Sequence, residues 1–252
     1  MTAPTAVPYL DPDTSFRSHP REMERERVLM GLIRSGECAL DIGARDGYYS
    51  VLLAQRFAHV ASLDLAPSRV HDPRVECVAG DATALPFPDR SFDLVFCAEV
   101  LEHIPNVERA CREIVRVTRG CAVICTPFNQ DLRVGRMRCQ QCGRVWGPWK
   151  HLHNFTLKRL EALFYPMRGD CVVYTGSTIE RTTWASAALM DFAGHPWGTY
   201  HGPEPCACGA VMRPPEIGKI GKAFAFAACA LDGVQRRFIR PVPDLISVRF
   251  EP

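Results

Sequence analysis

The sequence predicts an α/β fold, a mostly parallel, doubly wound sheet with helices on both faces. Three observations carry that reading. The apolar run Cys38-Ala39-Leu40 reaches Asp41, then turns through Gly43 and Gly47 into the helix-like pattern Ser50-Val51-Leu52-Leu53-Ala54. A second apolar run over 60–63 ends in Asp64, roughly 20 residues on, where doubly wound nucleotide folds put the carboxylate that binds a ribose diol. Further apolar runs at 75–78, 92–97 and 121–127 alternate with helical patterns, the rhythm of βαβ units.

The glycine turn is the centre of this scheme. Glycines there let the backbone take positive φ and approach a ligand, while the following helix offers unpaired N–H groups at its first turn. An ordinary βα turn is the plainer reading of the same residues. Against a nicotinamide dinucleotide, Arg45 stands where the middle glycine of G-x-G-x-x-G belongs and Tyr48 stands at the last position, which obstructs a pyrophosphate.

Around the turn, residues 21–33 place Val28, Leu29, Leu32 and Ile33 on one stripe, a helix packed on the sheet and ended by Gly36. Pro73 restricts the connection after Asp64 to a short helix over 66–71. Residues 107–117 form an amphipathic helix, and 92–97 a strand buried on both faces. Cys97, Cys111, Cys121 and Cys125 fall on apolar positions and read as core; Cys38, Cys77, Cys171 and Cys229 lie in strand-like runs and are also expected in the core. Helices are expected at 157–164, capped by Thr156 or Asn154, and at 183–192. Strands six and seven are read at 171–178 and 223–231, and the tail from 234 onward offers residues 245–250 as an edge strand or a partner contact.

A chain of 252 residues, 47% hydrophobic, is long enough for one α/β domain with an elaboration. The formal charge of +2 gives no broad field toward nucleic acid or anionic membrane. Met1 to Ser15 has neither a basic nor an apolar signal region, and the longest apolar run is far below a membrane span, so a cytoplasmic location without membrane contact is expected. Twelve cysteines are then expected as reduced thiols, available for burial, catalysis or metal.

Taken in order, the stretch 40–48, Asp64-Leu65, Ala79-Gly80-Asp81-Ala82, residues 91–104 through Cys97-Ala98-Glu99 and Glu102-His103, and Arg112-Glu113-Ile114-Val115-Arg116-Val117 resemble the motifs of class I S-adenosylmethionine-dependent methyltransferases. The pattern is similar to the small-molecule "type 11" subgroup, related to the ubiquinone and menaquinone methylases, and covers about 35–128. The resemblance implies a Rossmann-like, seven-stranded sheet ending in an antiparallel pair. It implies S-adenosylmethionine as cofactor, held by Asp41, Gly43, Ala44, Arg45, Gly47, Asp64, Leu65, Gly80, Asp81, Ala82, Cys97 and Ala98. Within that set Asp64 meets the ribose and Asp81 the adenine amino group. Arg45 departs from the glycine many members carry.

A second constellation lies beyond that pattern. Cys139-Gln140-Gln141-Cys142-Gly143 is a knuckle whose spacing lets two thiolates face one ion, and Cys206-Ala207-Cys208-Gly209 is its expected other half. Both segments leave from the carboxyl edge of a class I sheet, so Cys139, Cys142, Cys206 and Cys208 are expected to hold a closed structural zinc. Free thiols and a redox dithiol are the rival readings. His151, His153, His195 and His201 are reserve ligands. Arg133, Arg136, Arg138, Arg144 and Lys150 make the insertion locally basic, either toward an anionic substrate or as a solvated face.

The implied organisation is an arm (1–20), a cofactor-binding core (21–128), a cysteine-containing lid (129–155), a C-terminal part of the core (156–231) with a second cysteine insertion at 193–221, and a tail (232–252). Methyl transfer needs mainly positioning. Where the acceptor is a hydroxyl or amine, a histidine base helps, and His103, His151 and His153 are the candidates, with Glu102 in reserve. A structural histidine is the plainer reading of each. The expected partner is a small molecule. An RNA or protein acceptor gripped by the basic insertion and Trp146 or Trp149 is the rival, and a non-catalytic cofactor-binding zinc scaffold the third reading. Oligomeric state, a homodimer included, stays open.

Overall fold

The computed structural model describes residues 17–200 and 205–252. Of the expected arm, all but 17–20 lies outside the described residues, as does the reserve ligand His201.

The chain opens with α1 (Pro20–Leu32), whose Leu29 and Leu32 are buried. Alternating elements follow: β1 (Gly36–Ile42), α2 (Tyr48–Leu53), β2 (Phe57–Asp64), β3 (Val75–Ala79), β4 (Phe92–Ala98), α3 (Val107–Val117) and β5 (Thr118–Pro127). A small hairpin, β6 (Met137–Arg138) with β7 (Val145–Trp146), precedes α4 (Leu157–Leu163), β8 (Arg168–Thr175), α5 (Trp184–Ala193), α6 (Lys219–Arg236) and β9 (Leu245–Glu251).

Seven strands form one sheet in the order β3-β2-β1-β4-β5-β9-β8, parallel except for β9, which runs antiparallel to both neighbours. This is a Rossmann-like methyltransferase sheet. The strand order reverses between β1 and β4, and in open α/β sheets ligands bind at the carboxyl ends beside such a switch. Central strands buried on both faces explain the unbroken apolar runs of the sequence. One core cluster joins α3 and α4 to the sheet, and the other joins α1 and α2 to its opposite face.

Several expectations change here. Residues 223–231 are not strand seven; they lie inside α6. Ala-Phe-Ala-Phe-Ala-Ala-Cys-Ala-Leu alternates like a strand, but its five alanines favour helix, and the helix packs against α5 and not the sheet. Cys229 is accordingly exposed. The seventh strand is β9, supplied by the tail, and it lies inside the sheet and not at its edge. Residues 65–74 contain no helix at all, so β2 connects to β3 through extended chain and turns. Cys97, Cys111, Cys121 and Cys125 are buried as expected, whereas Cys38 near the start of β1, and Cys77 and Cys171 on the edge strands β3 and β8, are only half-buried.

Candidate cofactor cleft and cysteine cluster

The cleft begins where β1 ends. Gly43 (φ +73°) and Gly47 (φ +79°) adopt left-handed backbone, and a Cβ on Gly43 would fall 2.2 Å from Val100 Cγ2, so a side chain there is excluded twice over. Arg45 also takes positive φ, at 53°. Two bonds to the end of β2 hold the loop open: Gly43 N–H donates to Leu63 O at 2.8 Å, and Arg45 N–H donates to Asp64 Oδ2 at 2.8 Å. Arg45 thus contributes its backbone to the cradle whatever its side chain. Leu65 next to Asp64 is 80% exposed, an apolar surface facing open space.

Asp81 continues this edge past β3. Its Oδ1 accepts from Thr83 N–H at 2.7 Å, and that bond holds the carboxyl below its ordinary range. Gly80 N–H donates to Asp64 O at 2.9 Å, which ties the two acidic tips together. Gly80 is half-buried and Ala82 buried, the latter with its side chain in the core.

Two of the expected cofactor contacts lie elsewhere. Asp41 is 2% exposed and stands beneath the loop, where Ser50 Oγ donates to its Oδ2 at 2.6 Å and itself meets Ser62 Oγ at 2.8 Å. Cys97 is fully buried in the core, so its thiol cannot reach a ligand. Both support the cleft from behind.

Burial pushes the Asp41 carboxyl up to about 7, against the opposing Ser50 bond. A carboxyl whose folded pKa lies above its unfolded value of ~3.9 favours the fold most at pH values below the unfolded pKa. That contribution falls as pH rises through about 7. We expect Asp41→Asn to flatten the decline in stability across this window in denaturant titrations. A decline of unchanged slope would refute the buried-acid account.

Helix α1 straps this loop. Arg17 pairs with Asp46 and lies 3.6 Å from the Tyr48 ring centroid, while Tyr48 OH donates to Glu26 at 2.5 Å. Further along, Arg25 reaches Glu99 at 2.5 Å, and Arg21 pairs with Asp244. Sequence reasoning missed the Arg25–Glu99 pair. Arg25 falls on the apolar stripe itself, one turn before Leu29 and two before Leu32, a misplaced charge that signals a buried partner, but 74 residues separate the two and no local pattern names Glu99.

Past β4, Glu102 and His103 form a single 3₁₀ turn. Leu152 N–H donates to Glu102 O at 2.7 Å, which docks residues 147–155 over this end of the sheet. The three candidate histidines separate here. His153 is structural: its Nε2–H donates to Ile104 O at 2.8 Å and its Nδ1 faces Arg159 at 3.3 Å. His103 and His151 meet edge to face, ring centroids 4.8 Å apart. His151 Nδ1 bonds Gln130 Oε1 at 2.7 Å, and burial followed by the neighbouring His103 lowers the imidazole to about 4.

The four knuckle cysteines converge. Cys139 and Cys208 sulfurs lie 3.6 Å apart, Cys142 and Cys206 sulfurs 3.7 Å, and all four fall within 4.8 Å of one another. A disulfide would bring a pair to about 2.0 Å. A tetrahedron with Zn–S near ~2.3 Å has edges of ~3.8 Å, so the donor set and spacing fit that ion. The Cys208 backbone N–H above all, with Trp146 Nε1 at 3.4 Å, holds the Cys206 thiol down to about 6. Gly143 (φ +73°) and Gly209 (φ +85°) turn the two knuckles. His195, expected in reserve, is 1% exposed beside Asp191 and is absent from the four-residue group.

The basic residues of the insertion are spent on the insertion itself. Arg133 bonds Asp131 and Thr182 O at 2.9 Å, and Arg136 faces Asp191 at 3.4 Å. Arg138 approaches Asp191 O at 3.4 Å, Arg144 covers the Trp146 ring, and Lys150 Nζ donates to Pro205 O at 3.0 Å. These bonds stitch the cap together, while Arg144 stays exposed to solvent.

A doubly wound sheet of this order with a glycine loop and two acidic strand tips is the fold of the class I methyltransferases. Residues 40–125 match the family described as a methyltransferase domain. The chain is 36% identical over 127 residues to malonyl-(acyl-carrier protein) O-methyltransferase of Serratia marcescens, spanning 48% of each. It is 32% identical over 131 residues to demethylmenaquinone methyltransferase of Beutenbergia cavernae, 50% of this chain and 49% of that protein. The chain therefore spans about half the length of the curated relatives it matches. An S-adenosylmethionine-dependent methyltransferase from Mesorhizobium loti shares the fold at a TM-score of 0.53 and 15% identity, over 90% of this chain and 96% of that one. So does the (4+2)-cyclase SpnF, at a TM-score of 0.52 and 17% identity, over 91% and 81%. Among the described residues, no helix is long and apolar enough to cross a membrane.

Proposed function

We propose that this chain transfers the methyl group of S-adenosylmethionine to a small molecule, in a cleft at the carboxyl ends of β1 to β4 walled by a zinc-stapled cap. The observation that carries the reading is the cradle at 43–47, pinned open by Asp64 and lying within the stretch matched by the methyltransferase domain. SpnF, with its different named chemistry, shows why the fold alone would not carry it.

When bound, the cofactor supplies an electrophilic methyl on a sulfonium. The chain's own residues hold and enclose. Asp64 accepts from a ribose diol, Asp81 from an exocyclic amino group, and the backbone of Gly43, Ala44, Arg45 and Gly47 lets the ligand approach closely. Leu65 and Ala98 offer apolar contact. Because such a transfer gains most of its rate from alignment, no protein nucleophile is required. His103, exposed at the acceptor side, takes the acceptor's proton at a ring nitrogen, and His151 orients it. Cys139, Cys142, Cys206 and Cys208 hold a closed structural zinc that fixes the 147–155 segment as the far wall. With the cap's arginines bonded internally, a nucleic-acid acceptor loses its support.

The test is calorimetric titration of the full chain with S-adenosylhomocysteine, followed by turnover with a panel of small hydroxyl, carboxyl and quinol acceptors. Saturable one-to-one binding and methylation of at least one class are expected. Absence of binding by a folded sample would sink the reading, and binding without any turnover would leave the non-catalytic scaffold in its place.

A further inference from the structure

We propose that Glu102, His103 and His151 bind one divalent transition-metal ion beside the cleft, at a site separate from the cysteine cluster. The binding stands on these side chains alone; only its use, in which the ion holds and acidifies an oxygen of the methyl acceptor and His103 serves as a ligand in place of its role as base, rests on the methyltransferase reading.

Glu102 is the starting point. Its side chain is 0% exposed, and among the described residues neither carboxylate oxygen meets a hydrogen-bond donor from another residue. A buried carboxylate with no partner is costly, and nature resolves it by protonation, by a paired cation or by a metal. The main chain of Glu102 is not loose, since its carbonyl takes the Leu152 N–H at 2.7 Å, and this bond carries His151 to its side. Glu102, His103 and His151 then each offer a ligand atom within 4.8 Å of the other two.

The orientation of His151 follows the pattern of a metal ligand. Its Nδ1–H donates to Gln130 Oε1 at 2.7 Å, which selects the tautomer whose lone pair is on Nε2. An outer-shell acceptor on the far ring nitrogen is what ligating histidines require. His103, itself exposed, packs edge to face against this ring. Two imidazoles and one carboxylate suit Fe²⁺, Co²⁺, Ni²⁺ or Zn²⁺ better than Mg²⁺ or Ca²⁺, and differ from the four thiolates of the other cluster. Three protein ligands leave positions for water or an acceptor oxygen.

The experiment is a Co²⁺ titration of the full chain with its cysteine cluster filled by zinc, read by visible absorption and calorimetry. One equivalent is expected to bind with weak d–d bands and no sulfur-to-metal charge transfer. His103→Ala/His151→Ala is expected to lose that equivalent, and Gln130→Ala, which removes only the outer-shell bond, to weaken it about 10 to 100-fold. Three results would overturn the proposal: no Co²⁺ taken up, uptake only with thiolate charge-transfer bands, or equal affinity in wild type and the Gln130→Ala protein. S-adenosylhomocysteine binding by the same samples reports the cleft independently. Cobalt uptake without nucleoside binding would keep the metal site and remove its catalytic use, and nucleoside binding without cobalt uptake would remove the metal site and leave the methyltransferase reading standing.

Discussion

Cys139→Ser is expected to release zinc from the purified protein and to unfold the cap while the seven-stranded sheet survives. The cap's own core is small. Met137, Cys139, Tyr200, Cys206 and Met212 are its buried members, with Trp146 and Ala210 against them. So little apolar surface cannot hold so long an excursion, and domains below about 40 residues usually need a metal or a disulfide. Structural zinc in small domains supplies on the order of 10–16 kcal/mol of apparent binding energy, and a closed site that loses one thiolate forfeits most of it. Cys139 is 1% exposed, so the hydroxyl of serine would also be buried in an apolar setting. Elemental analysis should find less than one zinc per chain, and limited proteolysis should cut within 129–155. Full metal retention would refute the four-cysteine assignment.

Asp64→Ala is expected to reduce affinity for S-adenosylhomocysteine by at least about a hundredfold, with the fold intact. Hydrogen bonds to a charged acceptor are each worth about 1.5–3 kcal/mol, and a ribose diol offers two. Asp64 is half-buried at the tip of β2, so its removal opens no cavity in the core. The lost bond from Arg45 N–H, also to this carboxylate, costs about 1.5–3 kcal/mol of local order. Calorimetry on wild type and variant, with melting curves as a control, makes the comparison. Unchanged affinity in a folded variant would remove Asp64 from the site.

The part of this molecule written in local pattern was legible from residues alone. Strands β1 to β4 are apolar runs ending in or just before acids or glycines, and a parallel sheet buried on both faces leaves that imprint. The two cysteine pairs announced themselves by spacing. What stayed hidden depends on partners far along the chain. Asp41 looks like its fellow strand-end acids, and only the serines that close over it from β2 and α2 make it a buried prop. The alanine-rich stretch 223–231 satisfied a period of two as well as a helix, and its packing partner α5 settled the matter. His151 and Gln130 owe their pairing to the loop that Leu152 anchors. Sequence could nominate the histidines, but the hydrogen bonds that separate His153 from the other two become visible only in the folded chain.

The position of β9 has a consequence for how this protein is born. Strand β5 must wait for a segment more than a hundred residues downstream before its open side is covered, and β8 has no sheet to join until then. During translation at about 5–20 residues per second, the nascent N-terminal half is thus exposed for about 6 to 24 seconds with an unsatisfied flank. A ribosome that stalls before Leu245 leaves behind a sticky half-molecule, a natural client for a chaperone.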